Sequence, residues 1–143
     1  MAVPDRYPGA GHRRPRKSGI TYHVRAALSA WLQAEAVRAS AELGRYRVLD
    51  VGCGIRPYYP YFEPDASEYV GVDVENPAAD LEGSVEALPV DDASFDVVLC
   101  TQVLEHVGDQ DLAVRELHRV TAPGGRVLAS THGVQVYHPS PTD

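Results

Sequence analysis

Apolar residues in this chain form short continuous runs that alternate with longer segments of helical character. Strands are predicted over residues 47–51, 69–74, 95–100 and 126–131, where the runs are aliphatic or β-branched, and more faintly near 80–85. Continuously apolar runs are typical of strands that are buried on both faces of a parallel sheet. The pattern therefore predicts an α/β fold with an open, mostly parallel sheet and flanking helices.

Two segments between the strands predict helices. Residues 20–43 contain neither proline nor glycine and are rich in alanine, and Gly44 follows as a stop signal. Asp109 is placed to cap a second helix that runs to about Val120. The apolar faces that we expect to be buried consist of Val24, Leu28 and Trp31 in the first helix and of Leu112, Leu117 and Val120 in the second.

Length and charge favour one domain with a basic N-terminal extension. The chain has 143 residues, 44% of them hydrophobic, and a formal net charge of −7, so we expect a single domain over residues 20–143. Residues 1–19 are rich in basic residues, proline and glycine, which predicts a flexible arm. Such an arm could bind nucleic acid, but the acidic remainder of the chain would repel a phosphate backbone. A solvated arm is the expectation, with nucleic acid as the weaker alternative.

Other classes of protein are disfavoured by features that the sequence lacks. No uncharged apolar run approaches the ~20 residues of a membrane-spanning helix. The N-terminus shows no apolar segment followed by a cleavage site, so a cytoplasmic location is expected. The two cysteines, Cys53 and Cys100, cannot form a disulfide framework, and no set of Cys or His has metal-ligand spacing. We therefore expect no metal.

The candidate chemistry lies where the predicted strands end, since open parallel sheets bind ligands there. Gly52 and Gly54 follow the first strand, and glycine lets a ligand approach the backbone closely. Asp73 closes the next strand, where its carboxylate could accept both hydroxyls of a ribose. Pro57 removes a backbone N–H that a pyrophosphate would need, which disfavours a dinucleotide. An adenosine ligand without phosphate fits these residues.

A series of short motifs resembles the class I S-adenosylmethionine-dependent methyltransferases, in particular their type 11-like domain. The motifs are residues 48–54 (VLDVGCG), 71–73 (GVD), 86–89 (EALP), 94–98 (SFDVV), 103–107 (VLEHV), 117–120 (LHRV) and 123–125 (PGG). The resemblance covers about residues 46–131 and implies a Rossmann-like sheet in the strand order 3-2-1-4-5. It also implies two further strands, for which the 12 residues after Thr131 leave little room. We therefore expect either a truncated chain or a fifth-strand edge that is covered by a second copy or a partner.

The resemblance implies S-adenosylmethionine as cofactor and assigns residues to its parts. The implied contacts are Asp50, Gly52, Cys53, Gly54, Thr101 and Gln102 around the methionine part, Asp73 and Val74 at the ribose, and Ser84, Val85 and Glu86 beside the adenine. Ser84 stands where the family commonly has an acid, so the adenine contact there would fall to main-chain atoms or to Glu86. Residues 75–79 are too few for the helix that usually joins the second and third strands. Gly52→Val is expected to abolish binding more than it lowers stability.

The implied reaction is an in-line methyl transfer, in which the protein mainly aligns the reactants and excludes water. A hydroxyl acceptor would need a base, for which the sequence offers Glu105, His106 and His132. The tyrosine-rich residues 58–62 could line an acceptor pocket, although a packed turn is expected. The acceptor, a small molecule or another substrate, is not identified by the sequence. A degenerate methyltransferase-like interaction domain without activity is the alternative.

Overall fold

The computed structural model describes residues 7–131, which form one five-stranded parallel sheet with helices on both faces. The strands are β1 (Tyr46–Val51), β2 (Ala66–Asp73), β3 (Leu81–Glu82), β4 (Phe95–Thr101) and β5 (Thr121–Ser130). The helices are α1 (Ala10–Arg13), α2 (Tyr22–Leu43), α3 (Tyr59–Phe62) and α4 (Gln110–Val120), with a 3₁₀ turn at Leu104–His106.

The spatial order of the strands is β3-β2-β1-β4-β5, and every neighbouring pair is parallel. Both the predicted fold class and the predicted strand order are confirmed. No helix lies between β2 and β3 in the described part of the chain, as the short segment 75–79 predicted. The carboxyl ends of β1, β2 and β4 therefore meet at one edge of the sheet.

The sheet separates two apolar cores because successive side chains of a strand point to opposite faces. On one face, Val48 of β1 packs with buried residues of α2 and α3. On the other face, Leu49 of β1 packs with the buried residues of α4. The helices thus cover both faces, which explains why the strands carry continuous apolar runs rather than alternating ones.

The buried face of α2 differs from the predicted one. Leu32, Ala36 and Ala39 are buried against the sheet, whereas Trp31 is 37% exposed. Residues 32, 36 and 39 follow helical spacing, and the small alanine side chains let the helix backbone approach the sheet closely. The prediction that Trp31 is buried was therefore wrong, because the next residue, Leu32, occupies the buried face.

The start of α4 is confirmed in atomic detail, but one of its predicted core residues is not. The Asp109 carboxylate accepts a hydrogen bond from the Leu112 amide at 2.8 Å, as expected for a capping residue. Leu117 and Val120 are buried, whereas Leu112 is 37% exposed. Ala113 is fully buried in its place, because residues 113, 117 and 120 lie on one helical face.

Within the predicted flexible arm, residues 7–13 contact the domain, whereas residues 16–19 are exposed. The Arg13 side chain is buried, and its guanidinium donates to the carbonyl oxygens of Tyr7, Pro8 and Pro57. The Ser29 hydroxyl of α2 donates to the Arg13 carbonyl at 2.8 Å. Composition failed here because carbonyl acceptors are present at every residue, so a single arginine can attach a polar segment to the domain.

The fifth strand lies at one edge of the sheet and begins earlier than residues 126–131 predicted. A register shift opposite Phe95 and Val97 accommodates the Pro123–Gly125 segment within it. Leu128 faces the core, and Val127 is 38% exposed. Pairing of this edge with a second copy stays a prediction, and the tail that the sequence analysis considered, residues 132–143, lies outside the described residues. Within residues 7–131, no helix combines the length and apolar character needed to cross a membrane.

Candidate functional site

Two connected depressions open at the carboxyl edge of the sheet. The larger, here called the main cavity, has a volume of about 420 Å³. Of the residues predicted to form a site, it is lined by Asp50, Gly52, Cys53, Gly54, Thr101, Gln102, Glu105 and His106. The smaller, here called the side cleft, measures about 150 Å³ and is lined by Gly52, Asp73, Val74, Ser84, Val85, Glu86 and His106.

Gly52 and His106 line both depressions, so the main cavity and the side cleft adjoin. Every predicted cofactor residue lies in one of the two. Of the three candidate bases, Glu105 and His106 are brought together there, and His132 lies outside the described residues. The topology accounts for this convergence, because β1, β2 and β4 are neighbours that all end at this edge.

The loop after β1 turns sharply beneath the two depressions. Gly52 and Gly54 have φ values of 66° and 49°, a region in which most other residues are strained. The amides of Gly52 and Cys53 both donate to the Val72 carbonyl of β2, at 2.8 and 3.2 Å. The loop is thereby fixed to the neighbouring strand and leaves Gly54 facing open space.

The space around the two glycines changes the expectation for Gly52→Val. A Cβ atom on Gly52 would lie 2.3 Å from Cγ2 of Val103, whereas a Cβ on Gly54 would meet nothing within 4 Å. A side chain at Gly52 would therefore disturb the fold itself, so an equal loss of stability is expected there. Gly54 is the position at which a small side chain would project into the depression.

Asp73 joins the end of β2 to the glycine loop. Its Oδ2 accepts hydrogen bonds from the Gly54 amide at 2.8 Å and from the Asn76 side chain at 3.0 Å, and its Oδ1 accepts from the Val74 amide at 2.9 Å. A carboxylate has about four lone-pair sites, so Asp73 retains acceptor capacity at the rim of the side cleft.

Asp50 is a buried carboxylate in the lining of the main cavity. It is 6% exposed, and the Tyr69 hydroxyl donates to its Oδ2 at 2.7 Å. Burial raises the pKa of Asp50 from 3.8 to about 6, although the Tyr69 hydrogen bond and the Arg56 charge oppose that change. A cation that entered the cavity would favour the ionised form of Asp50.

Glu105 adds a second carboxylate to the same cavity. It is 9% exposed, and its Oε2 has no hydrogen-bond partner among the described residues. Burial raises the pKa of Cys100 to about 12, and the charges of Asp50 and Glu105 add to that rise. Burial likewise raises the pKa of Cys53 to about 11, so its thiol stays protonated at neutral pH, in keeping with a packing role.

The adenine-side residues already hold one another and the start of α4. The amide of Glu86 donates to the Ser84 hydroxyl at 3.2 Å, and that hydroxyl donates to Oε2 of Glu86 at 3.3 Å. The other carboxylate oxygen of Glu86 accepts from the Asp109 amide at 2.7 Å. Val85 is 4% exposed and belongs to the core. Glu86 therefore bridges the side cleft to the cap of α4.

The end of β4 is held by the end of β5. Gln102 has a φ of 58°, which is uncommon for a residue with a side chain. Its amide donates to the Ser130 carbonyl at 2.8 Å, and its side-chain nitrogen donates to the Thr131 carbonyl at 2.7 Å and to the Ser130 hydroxyl at 3.1 Å. These three contacts fix the strained backbone that lines the main cavity.

Sequence reasoning missed the part of the main cavity that the N-terminal elements and residues 55–57 contribute. These additional lining residues are His12, Thr21, Val24, Arg25, Leu28, Ile55 and Pro57. Thr21, Arg25 and Leu28 recur at helical spacing, so a cation on an otherwise apolar face of α2 was the available signal. The tyrosine turn does pack, as expected, since Tyr58 and Phe62 are buried, but Tyr58 also reaches the cavity.

Among residues 7–131, no group of three or more His, Cys, Asp or Glu side chains is arranged to hold a metal ion. A parallel sheet in this strand order, with a glycine turn after β1 and an acid at the end of β2, is a Rossmann-like domain. A family model described as "Methyltransferase domain" matches residues 49–129, which is more than half of the chain. The chain belongs to this methyltransferase family, of the class I S-adenosylmethionine-dependent type.

The chain is similar to curated proteins over part of their length. The malonyl-acyl-carrier-protein O-methyltransferase of Erwinia pyrifoliae is 41% identical over 96 residues, which cover 59% of this chain and 37% of that protein. The ubiquinone biosynthesis O-methyltransferase of Pseudomonas syringae is 35% identical over 107 residues, which cover 64% and 46%. The chain therefore spans less than half the length of these relatives.

Solved structures show the same fold. The YcgJ protein from Bacillus subtilis superposes with a TM-score of 0.60 at 28% identity, covering 72% of this chain and 51% of that one. CalS10 from Micromonospora echinaspora, solved with S-adenosylmethionine bound, gives a TM-score of 0.62 at 22% identity, covering 78% and 54%. At 22% identity, the similarity to CalS10 shows the fold alone.

Proposed function

We propose that this domain binds S-adenosylmethionine and transfers its methyl group to an acceptor held in the main cavity. The observation that carries the proposal is the junction of the main cavity and the side cleft at Gly52, which offers one continuous site to a ligand with an adenosine half and an amino-acid half. Family membership supports the same conclusion.

The chemistry of the lining fits a cationic nucleoside. Asp73 has acceptor capacity for ribose hydroxyls at the rim of the side cleft, with Val74, Ser84, Val85 and Glu86 in the same cleft. Asp50 and Glu105 place two buried carboxylates in the main cavity, where a sulfonium or ammonium group would offset their charge. Gly54 offers open space beside the loop, and Thr101 and Gln102 complete this end of the lining.

When bound, S-adenosylmethionine supplies a methyl group that its sulfonium has already activated for displacement. The chain then has to align the acceptor with that methyl group and exclude water. For a hydroxyl acceptor, the carboxylate of Glu105, which lines the main cavity, would take the proton as the new bond to oxygen forms and the bond between the methyl group and sulfur breaks. Two of the relatives above are named O-methyltransferases, which favours an oxygen acceptor.

Calorimetry with S-adenosylhomocysteine tests cofactor binding. Asp73→Ala should weaken binding about 10- to 100-fold, the effect expected when a hydrogen bond to a charged group is lost. Asp73 also holds the glycine loop, so Asn76→Ala is the matched control, because it removes one contact of the Asp73 carboxylate and leaves the carboxylate itself. An equal loss in both variants would remove Asp73 from the ribose site.

Turnover requires a separate measurement. Incubation with deuteromethyl S-adenosylmethionine and a fractionated small-molecule extract, followed by mass spectrometry, should reveal a labelled product. Glu105→Gln should abolish that product for a hydroxyl acceptor even at saturating cofactor, because the amide cannot take up the proton. The absence of heat at millimolar S-adenosylhomocysteine would instead favour the non-catalytic interaction domain.

A further inference from the structure

A third depression, here called the basic cavity, lies between α1 and the start of α2. It has a volume of about 470 Å³ and is lined by three arginines, Arg14, Arg16 and Arg25. None of the described residues that line it is acidic, and the sequence from residue 7 to residue 34 contains no Asp or Glu. The basic cavity therefore concentrates positive charge in a chain whose formal net charge is −7.

Two of these three arginines have no carboxylate partner in the described part of the chain. Arg16 and Arg25 form no ion pair there, whereas most arginines of the sheet and of the remaining helices contact a carboxylate. Those that do are Arg38, Arg47, Arg56, Arg119 and Arg126. Like charges repel, so an anion held between the three guanidinium groups would lower the free energy of their arrangement.

Short-range backbone contacts hold the segment that carries Arg14 and Arg16. The Arg14 amide donates to the Ala10 carbonyl at 2.8 Å, and the Arg16 carbonyl accepts from the Gly19 amide at 2.9 Å. The Gly19 carbonyl accepts in turn from the amide of Tyr22, the first residue of α2, at 3.0 Å. Arg14 and Arg16 are exposed, so the basic cavity is open to solvent on their side and a ligand can enter there.

The donors of the basic cavity fit a phosphate group. A phosphate monoester carries about −1.5 to −2 charges at pH 7 and three strong acceptor oxygens, and guanidinium groups form bidentate hydrogen bonds with it. Thr21 and Tyr22 also line the cavity, and each has a hydroxyl that can donate to a phosphate oxygen. The 22-residue helix α2 begins at this cavity, so the positive end of its dipole adds to the charge of the arginines.

The basic cavity adjoins the main cavity, because Thr21 and Arg25 line both. The carboxylates of Asp50 and Glu105 line the main cavity, where they would disfavour a dianion. A ligand that reaches from one cavity into the other would therefore place its phosphate among the arginines and its remaining part in the main cavity.

We propose that the basic cavity binds a phosphate monoester group of the methyl acceptor, so that the acceptor is a phosphorylated small molecule. The proposal rests on the proposed function, which places the reacting part of the acceptor in the main cavity. Nucleic acid fits less well, because the arginines line a cavity rather than an extended surface and the acidic remainder of the chain would repel a phosphate backbone. In the described part of the chain, Arg14 and Arg16 line neither the main cavity nor the side cleft, so they contact the acceptor and not the cofactor.

Titration of the full chain with inorganic phosphate at pH 8 and constant ionic strength tests the site directly. The amide NMR signals of residues 14–25 should shift saturably, and acetate, a monoanion, should bind more weakly. Arg14→Gln and Arg16→Gln should each weaken phosphate binding about 3- to 5-fold, and the double variant about 10-fold or more, because each removes one partly solvated ionic contact. Arg115→Gln removes an exposed guanidinium of α4 and is the matched control, which should leave phosphate binding unchanged.

Phosphatase treatment of the small-molecule extract tests whether the acceptor carries the phosphate. One half of the extract is treated with alkaline phosphatase, which is then removed by filtration, and the other half receives heat-inactivated phosphatase. After incubation with deuteromethyl S-adenosylmethionine, the labelled product should form only in the second half. The double variant Arg14→Gln with Arg16→Gln should lose most of this product at limiting acceptor and keep the wild-type affinity for S-adenosylhomocysteine, whereas Arg115→Gln should lose neither.

Four results would overturn the proposal. The first is the absence of a saturable phosphate response, or an equal response in a double variant whose melting temperature shows a folded protein. The second is acetate binding as tightly as phosphate, since three guanidinium groups without a carboxylate require preference for a dianion. The third is equal product from both halves of the extract, which would separate the phosphate site from the acceptor.

The fourth is a mixed-sequence RNA oligonucleotide that displaces phosphate and binds more tightly, with the double variant losing this affinity, because the basic cavity would then serve nucleic acid. Failure of S-adenosylhomocysteine to bind the wild-type protein would refute the proposed function and, with it, the acceptor as the source of the phosphate. The phosphate titration needs no cofactor, so it still decides whether the basic cavity is an anion site.

Discussion

Replacing Asp50 by asparagine should stabilise the protein at neutral pH and leave its stability almost unchanged near pH 4. The side chain is buried, and it receives one hydrogen bond, from Tyr69, at 2.7 Å. An asparagine oxygen can accept the same hydrogen bond, so the substitution removes the charge and keeps the contact. The variant therefore isolates the free energy of holding a charged carboxylate at this position.

The pKa of Asp50 sets the size and sign of the effect. Burial raises that pKa from 3.8 to about 6, and at 1.36 kcal/mol per pKa unit the difference amounts to about 3 kcal/mol. The native state binds the proton more tightly than the unfolded state does. The corresponding stability is therefore present below pH 3.8 and is lost as the pH rises through about 6. Asp50→Asn should recover up to about 3 kcal/mol at pH 7.5.

Urea unfolding of the free protein at pH 4.0 and pH 7.5 measures the difference. Asp91→Asn, at an exposed acid that precedes β4, is the matched control and should change stability little at either pH. Tyr69→Phe should lower stability at pH 7.5 by about 1.5–3 kcal/mol, because it leaves the buried carboxylate without its donor. Equal stability of Asp50→Asn and the wild-type protein at both pH values would refute the reasoning.

Three further substitutions test contacts that position the site. Arg13→Ala should lower the free energy of unfolding by about 1.5–3 kcal/mol, because the carbonyls of Tyr7, Pro8 and Pro57 lose their charged donor. An unchanged urea titration would contradict this expectation. Gly54→Ala should lower the free energy of unfolding by about 1–2 kcal/mol, because Gly54 has a positive φ. Gly52→Ala should lower it clearly more, because the added Cβ also meets Val103. Equal losses in the two variants would contradict the packing around Gly52. Arg119→Ala should release the carbonyls of residues 88 and 90 and raise hydrogen exchange in that segment, and unchanged protection there would count against this role.

The sheet and its ligand-binding edge were predictable because they depend on features that are continuous in sequence. Apolar runs identify β1, β2 and β4, and parallel topology then requires that Gly52, Asp73 and Gln102 lie at one edge. The cap at Asp109 was predictable for the same reason, since donor and acceptor lie within three residues. Local signals of this kind need no knowledge of how helices are rotated.

The contribution of α2 to the main cavity was not predictable because it depends on the rotation of that helix. The sequence predicted Trp31 on the buried face of α2, whereas Leu32, the next residue, is buried in the structure. Periodicity alone does not distinguish these two rotations of the helix. For the same reason, Leu112 of α4 was predicted to be buried, whereas Ala113 is the buried residue. Arg25 could be placed in the cavity only after the rotation of α2 was known. The contacts of Arg13 could not be predicted for another reason. Their acceptors are backbone carbonyls, which every residue has, so the sequence does not indicate which of them are used.

The contacts of Gln102 with residues 130 and 131 have a consequence for how the protein forms during synthesis. All the described residues that line the main cavity lie before residue 107, yet the backbone of Gln102 is fixed by the carboxyl end of β5. A ribosome adds residues from the N-terminus onwards, so a nascent chain that has released α2, β1 and β4 still lacks this restraint. We therefore expect affinity for the proposed ligand to arise late in translation, after β5 has paired with β4.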